Sequence, residues 1–222
     1  MTRTIMDLDE YKKNYEDKES TPGWDAIDQA LEEIYPNQEP KHVAPVLHYS
    51  IGGNDPIDGV SIYRAEYNKK PYFHIVTYGF SELYYNEEAV GGDYSKFGFE
   101  LTFRIKLCEL DDEYPHWAIN MIQNIARYVF KSGKWFEPYH YMPAGGQIRL
   151  ESNTELTGLA FLPDPELGII NTPHGEVQFL QMFGINDKEL EKIKTVEKTS
   201  EALINQHRNS NPLLITDLCR NS

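Results

Sequence analysis

The sequence predicts an α+β fold, a mixed and mainly antiparallel sheet packed with helices. Three observations carry that reading. Phe97, Phe99, Leu101, Phe103 and Ile105 alternate with Gly98, Glu100, Thr102, Arg104 and Lys106, the two-residue period of a strand with one buried face. Residues 72–78 are apolar or aromatic on both sides, which suits a strand covered on both faces, and Gly79 ends it. Helical stretches with a 3.6-residue period occur at 24–34 and 117–128, and strands and helices do not alternate strictly, which favours α+β over α/β.

In chain order, residues 1–20 are charged with little apolar periodicity and read as a loosely attached helical arm ahead of a single domain over residues 21–222. Thr21 then caps a helix that has Pro22 at its first position and Trp24, Ile27, Leu31 and Ile34 along one face. Pro36 stops it. Residues 46–51 read as a strand, and the GGNDPIDG segment at 52–59 turns the chain into a second strand at 60–66. A loop at 68–71 leads to the central strand. The acidic segment 109–113 precedes a helix over about 116–131 with Trp117, Met121, Ile125 and Tyr128 on its buried side and Gly133 as its cap. Residues 135–146 form an ordered, irregular loop. Strands follow at 147–150, 157–162 and 175–183, then helices near 187 and over about 196–207, and a short strand at 213–216.

The chain of 222 residues carries 21 basic and 35 acidic residues, net −14. That charge disfavours attraction to phosphate backbones and anionic lipid, excludes a general nucleic-acid or membrane role, and permits a basic protein partner. Cys108 and Cys219 are too few and too far apart for a disulfide framework or a thiolate metal site. Charges stand where a signal peptide would be apolar, and no window approaches 18 uncharged apolar residues, so a soluble cytoplasmic protein is expected.

Candidate chemistry is sparse. Gly79-Phe-Ser81-Glu-Leu83 imitates a nucleophile elbow, but Leu83 replaces the second glycine, and Ser81 reads better as a helix cap. Asn54, Asp55 and Asp58 lack the spacing of a calcium loop, the seven histidines are dispersed, and the glycine pairs lack the lysine of a phosphate loop. No enzyme activity, metal or cofactor is therefore expected. Glu100 and Arg104 share a strand face but lie roughly 13 Å apart, so each needs a cross-strand partner. The candidate site is a binding surface. Tyr84, Tyr85 and Tyr94 flank an acidic loop with Glu87, Glu88 and Asp93, and exposed tyrosines among charges are typical anchors of protein interfaces.

At these residues the sequence resembles the Suppressor of fused domain family. The resemblance runs through GWDAI at 23–27, GGNDPIDG at 52–59, HIVTYGFSELY at 74–84, FGFELTFR at 97–104, ARYVF at 126–130, TPHGEVQFLQ at 172–181 and ITD at 215–217. It implies a non-enzymatic α+β domain that binds protein partners. In animal members a second domain follows, and the two clasp an extended peptide of a Gli-type transcription factor by strand addition. The tyrosine and aspartate that matter for partner binding there match Tyr84 and Asp93, although the loop before Phe97 is one residue shorter and lacks the usual Gly-Pro-Ser-Gly. Stand-alone members look like bacterial proteins, and the resemblance extends to relatives that are immunity proteins of contact-dependent or polymorphic toxin systems, which implies neutralisation of a toxin; the net charge of −14 suits a toxin that is basic where the two meet. A general peptide-binding or scaffolding module stays open as an alternative, and an unrecognised hydrolase is the least favoured.

Overall fold

The structure is a computed structural model that describes residues 6–17, 19–107, 114–195 and 199–220. Its helices are α1 (Leu8–Asn14), α2 (Pro22–Ile34), α3 (His116–Ser132), α4 (Asp187–Lys194) and α5 (Ser200–Arg208). Its strands are β1 (Lys41–Val43), β2 (Gly59–Tyr67), β3 (Lys70–Tyr78), β4 (Tyr94–Lys106), β5 (Tyr141–Pro143), β6 (Leu156–Pro163), β7 (Ile169–Thr172) and β8 (Gly175–Asn186). The order across the sheet is β1-β2-β3-β4-β8-β6-β5, with β7 also on β8. Among the described residues the β4–β8 pairing is the only parallel strand pair, so the sheet is mixed and mainly antiparallel, as the sequence predicts.

The alternation of β4 builds the three layers. Phe99, Leu101, Phe103 and Ile105 face α3, whose Ala118, Ile122, Ile125, Ala126 and Val129 complete the main core. On the opposite face α2 contributes Ile27 and Leu31 against Val76, Tyr78 and Phe179, and α4 and α5 pack on β6 and β8 through Leu190, Ile193 and Ile204. The other side of β4 is not the solvated face expected of a half-buried strand. Glu100, Thr102 and Arg104 have no exposed surface, because Glu100 lies under the turn after β3 while Thr102 and Arg104 meet Asp164 of the turn after β6. Arg104 does take a partner from another segment. Its guanidinium meets Asp164 at 2.6 and 3.2 Å and Glu166 at 2.8 Å, and it also bonds Gln181.

Several local expectations are corrected. Residues 46–51 are not a strand, because Lys41–Val43 already occupies the edge of β2, and Tyr49–Ile51 coil into a 3-10 turn. Residues 147–150 form turns, and 213–216 contribute a single bridge between Ile105 and Thr216. The 68–71 loop is a two-residue turn in which Asn68 and Lys69 both have positive φ, leaving Pro71 inside β3. Helix α3 buries a face rotated from the expected one, since Trp117 and Met121 are only partly buried and Tyr128 is 47% exposed. The arm is not loose at Tyr11, whose side chain is fully buried. The acidic segment 109–113, Cys108 and the expected helix start at 196 lie outside the described residues.

Candidate functional site

The segment that presents Tyr84 leaves β3 at Gly79, where φ is +131° and an added Cβ would sit 2.9 Å from the Asp58 amide nitrogen. Glycine is required there both for its backbone angle and for the close approach of the neighbouring chain. Beneath the turn lies the Glu100 carboxylate. It accepts hydrogen bonds from the amides of Gly79 and Ser81 (2.9 Å each), the Ser81 hydroxyl (2.7 Å) and the Thr77 hydroxyl (2.6 Å). Burial pushes the Glu100 pKa up, against the opposing pull of those donors. Ser81 is therefore an anchor of a buried carboxylate rather than a helix cap, and its hydroxyl is committed to that role.

The following residues are held as firmly. Glu82 N–H donates to Ser95 Oγ (2.9 Å), Gly23 N–H at the start of α2 donates to the Leu83 carbonyl (3.0 Å), and Tyr85 N–H donates to the Ser20 carbonyl (3.1 Å). Asn86 N–H donates to the Tyr11 phenol (3.0 Å), which also meets His174 Nε2 at 2.9 Å, while His174 Nδ1 lies 3.2 Å from the Glu82 carbonyl. Backbone groups of Ser81, Glu82, Leu83, Tyr85 and Asn86 are each bonded to another segment, so the loop is a rigid platform although it lacks regular structure.

From that platform the candidate residues diverge into two groups. Tyr84 is 41% exposed and lines a cleft of about 500 Å³ with His48, Tyr49, Asp58, Lys96 and Phe130. Burial and the adjacent Asp58 carboxylate push its phenol up to about 12. Tyr94 is 69% exposed and lines a second cleft, about 600 Å³, with Lys96, Gly98, Trp135 and Phe136. The bulge between Tyr94 and Phe99, where Lys96 and Gly98 both have positive φ, aims these side chains. Lys96 joins the two clefts. Its ammonium donates to the Gly79 carbonyl at 2.7 Å and lies 4.7 Å from the centroid of the Phe130 ring.

Tyr85 and Glu87 face the arm instead. The Tyr85 ring stacks on Tyr11 with 5.0 Å between centroids, its hydroxyl donates to Glu87 at 2.8 Å, and Glu87 pairs with Lys12 at 2.7 Å. Glu88 is exposed, with its amide capped by Asn86, and Asp93 is exposed where its carbonyl accepts from the Glu176 amide. Sequence reasoning missed Lys96, Tyr49, Phe130 and Trp135 as neighbours of the tyrosines. The aromatic density of 135–146 was the available signal for Trp135, whereas Tyr49 and Phe130 come from elements placed only by the tertiary fold.

Comparison with known proteins gives a consistent answer. The family model described as Suppressor of fused protein (SUFU) matches residues 53–221. The human Suppressor of fused homolog is 32% identical over 211 residues, and the alignment covers 89% of this chain but 43% of that protein. A chain of the Sufu–Fu complex crystal structure superposes with a TM-score of 0.82 at 30% identity, covering 91% of this chain and 93% of that one. Drosophila Suppressor of Fused superposes at 0.81 with 31% identity, over 91% of this chain and 51% of its own. The chain thus spans less than half the length of the human relative.

Proposed function

The chain belongs to the Suppressor of fused family, and from that premise we propose that it is a protein-binding domain whose contact surface is centred on Lys96, with Tyr84 and Tyr94 as anchors. One observation carries the reading. Tyr84 stands 41% exposed on a backbone held on both sides, at Ser81, Glu82, Leu83, Tyr85 and Asn86, by hydrogen bonds to other segments, so ordering entropy has already been lost before a partner arrives. A preorganised aromatic anchor beside a cleft is the usual form of an interface hot spot. One related structure is that of a Sufu–Fu complex, which supports a protein as the class of partner.

The finer reading is neutralisation of a toxin by occlusion. The net charge of −14 supports a partner that is basic where the two meet, and Glu88 and Asp93 are exposed acidic groups on the loop between Tyr84 and Tyr94. The test is to co-express the chain with proteins encoded beside it, score protection of the cells, and isolate complexes. A toxic neighbour that is bound and silenced supports immunity. Stable complexes with non-toxic partners leave the binding reading standing and remove the toxin, whereas no complex with any neighbour or family-type partner removes both.

A further inference from the structure

The turn between β7 and β8 sets a side chain of the sheet against the segment that carries Tyr84. Thr172 closes that turn, its hydroxyl donating to the Gly175 carbonyl (2.9 Å) and accepting from the His174 amide (3.1 Å). His174 is fully buried there. Its Nδ1 lies 3.2 Å from the Glu82 carbonyl, which can only accept, so Nδ1 carries the proton and Nε2 is left as an acceptor. Burial lowers the His174 pKa, which favours that neutral form of the ring.

The acceptor is met by Tyr11 of α1. The Tyr11 hydroxyl donates to His174 Nε2 at 2.9 Å and accepts from Asn86 N–H at 3.0 Å. Two side chains thus grip residues 82–86 at the carbonyl of the first and the amide of the last, with the exposed Tyr84 between them. The Tyr11 ring also stacks on Tyr85, and Lys12 beside it pairs with Glu87. Among the described residues of α1 only Tyr11 is buried. A helix of seven residues is too short to hold itself by its own hydrogen bonds, so the arm is kept in place by these contacts.

We propose that Tyr11 is a positioning residue of the binding surface: seated between His174 and the Asn86 amide, its hydroxyl straps residues 82–86 to the sheet and fixes the direction in which Tyr84 meets a partner. The role rests on Tyr84 being an anchor, and the test has one arm that needs no partner. That arm is amide hydrogen exchange, followed by NMR on the full chain carrying Tyr11→Phe, which keeps the ring and removes the hydroxyl. Exchange should quicken about fivefold at Asn86 and also at Glu82 and Tyr85, whose own acceptors, Ser95 Oγ and the Ser20 carbonyl, are untouched. The Leu101 amide, bonded to Thr77 Oγ1 in the core, should keep its rate and so report that global stability is unchanged. An effect confined to Asn86, or an equal effect at Leu101, overturns the proposal. The second arm is the dissociation constant for a verified protein partner. Tyr11→Phe should weaken it about fivefold in the wild-type background and have no further effect in Tyr84→Ala, because it acts through that side chain. Equal weakening in both backgrounds, or none in either, overturns the positioning role. Full-strength binding by Tyr84→Ala alone would instead fault the anchor, and the exchange pattern still decides the strap.

Discussion

At the residue scale the fold depends on two buried charges of β4 that answer to different partners. Arg104 is satisfied by Asp164 from 60 positions away, and Glu100 by donors of the turn at 77–81. The need for partners was legible in the sequence, since neither charge can reach the other along a strand. Their identity was not, because Asp164 sits in a turn with no pattern of its own. Arg104→Ala leaves the Asp164 carboxylate buried without its counter-ion and is expected to cost about 3–5 kcal/mol in urea unfolding. His74 lies in the same cluster, with Nδ1 2.8 Å from the Tyr35 hydroxyl and Nε2 3.6 Å from Asp164. Burial, reinforced by Arg104, lowers its pKa from 6.5 to about 4. Below pH 6.5 the unfolded chain therefore takes up a proton that the folded chain refuses, and stability falls as pH drops from 6.5 towards 4. The loss should approach about 1 kcal/mol per pH unit for this group. Urea midpoints of the wild type and His74→Gln at several pH values check it: the variant should show a shallower slope over that window, and an unchanged slope assigns the pH dependence elsewhere.

At the level of elements the strands with strong periodicity were legible and the helix phase was not. Residues 97–105 announce their pleat, but α3 is apolar on two faces, and the sequence alone does not say which one meets the sheet. The larger side chains Trp117, Met121 and Tyr128 suggest one answer, while the smaller Ala118, Ile122, Ala126 and Val129 fit closely against Phe103 and Leu101. Ile122→Ala should accordingly lose about 2–5 kcal/mol of stability, and Tyr128→Ala about 1 kcal/mol or less. Thermal melts of the two variants decide it, and the reverse ranking would place the sheet on the other face. The short edge strands β1, β5 and β7 escaped because three or four residues carry no period to read. Tyr11 escaped for a related reason: a tyrosine in a charged arm gives no sign that His174 and the Asn86 amide await its hydroxyl. Gly79→Ala is expected to destabilise by about 1–3 kcal/mol and to disturb the Tyr84 platform, with the urea midpoint as the measure.

Across the whole molecule, charge and presentation act at different stages of binding. A net charge of −14 speeds encounter with a basic partner, and exposed charges are screened over about 8–10 Å at moderate ionic strength. Glu88→Gln should then slow association and flatten its dependence on salt, while Tyr84→Ala should act on dissociation. Stopped-flow association across a salt series separates the two effects. The sequence named Tyr84 and Tyr94 but not what joins them, because Lys96, Phe130 and Trp135 meet only once β4 bulges and α3 crosses the sheet. The most direct test is the equilibrium dissociation constant for a verified protein partner, compared between the wild type and Tyr84→Ala, with Leu150→Ala as a control exposed away from the two clefts. Tyr84→Ala is expected to weaken binding about thirtyfold, equivalent to about 2 kcal/mol, with an unchanged melt and an unaffected control. A folded Tyr84→Ala variant that binds at full strength would contradict the assignment of this surface.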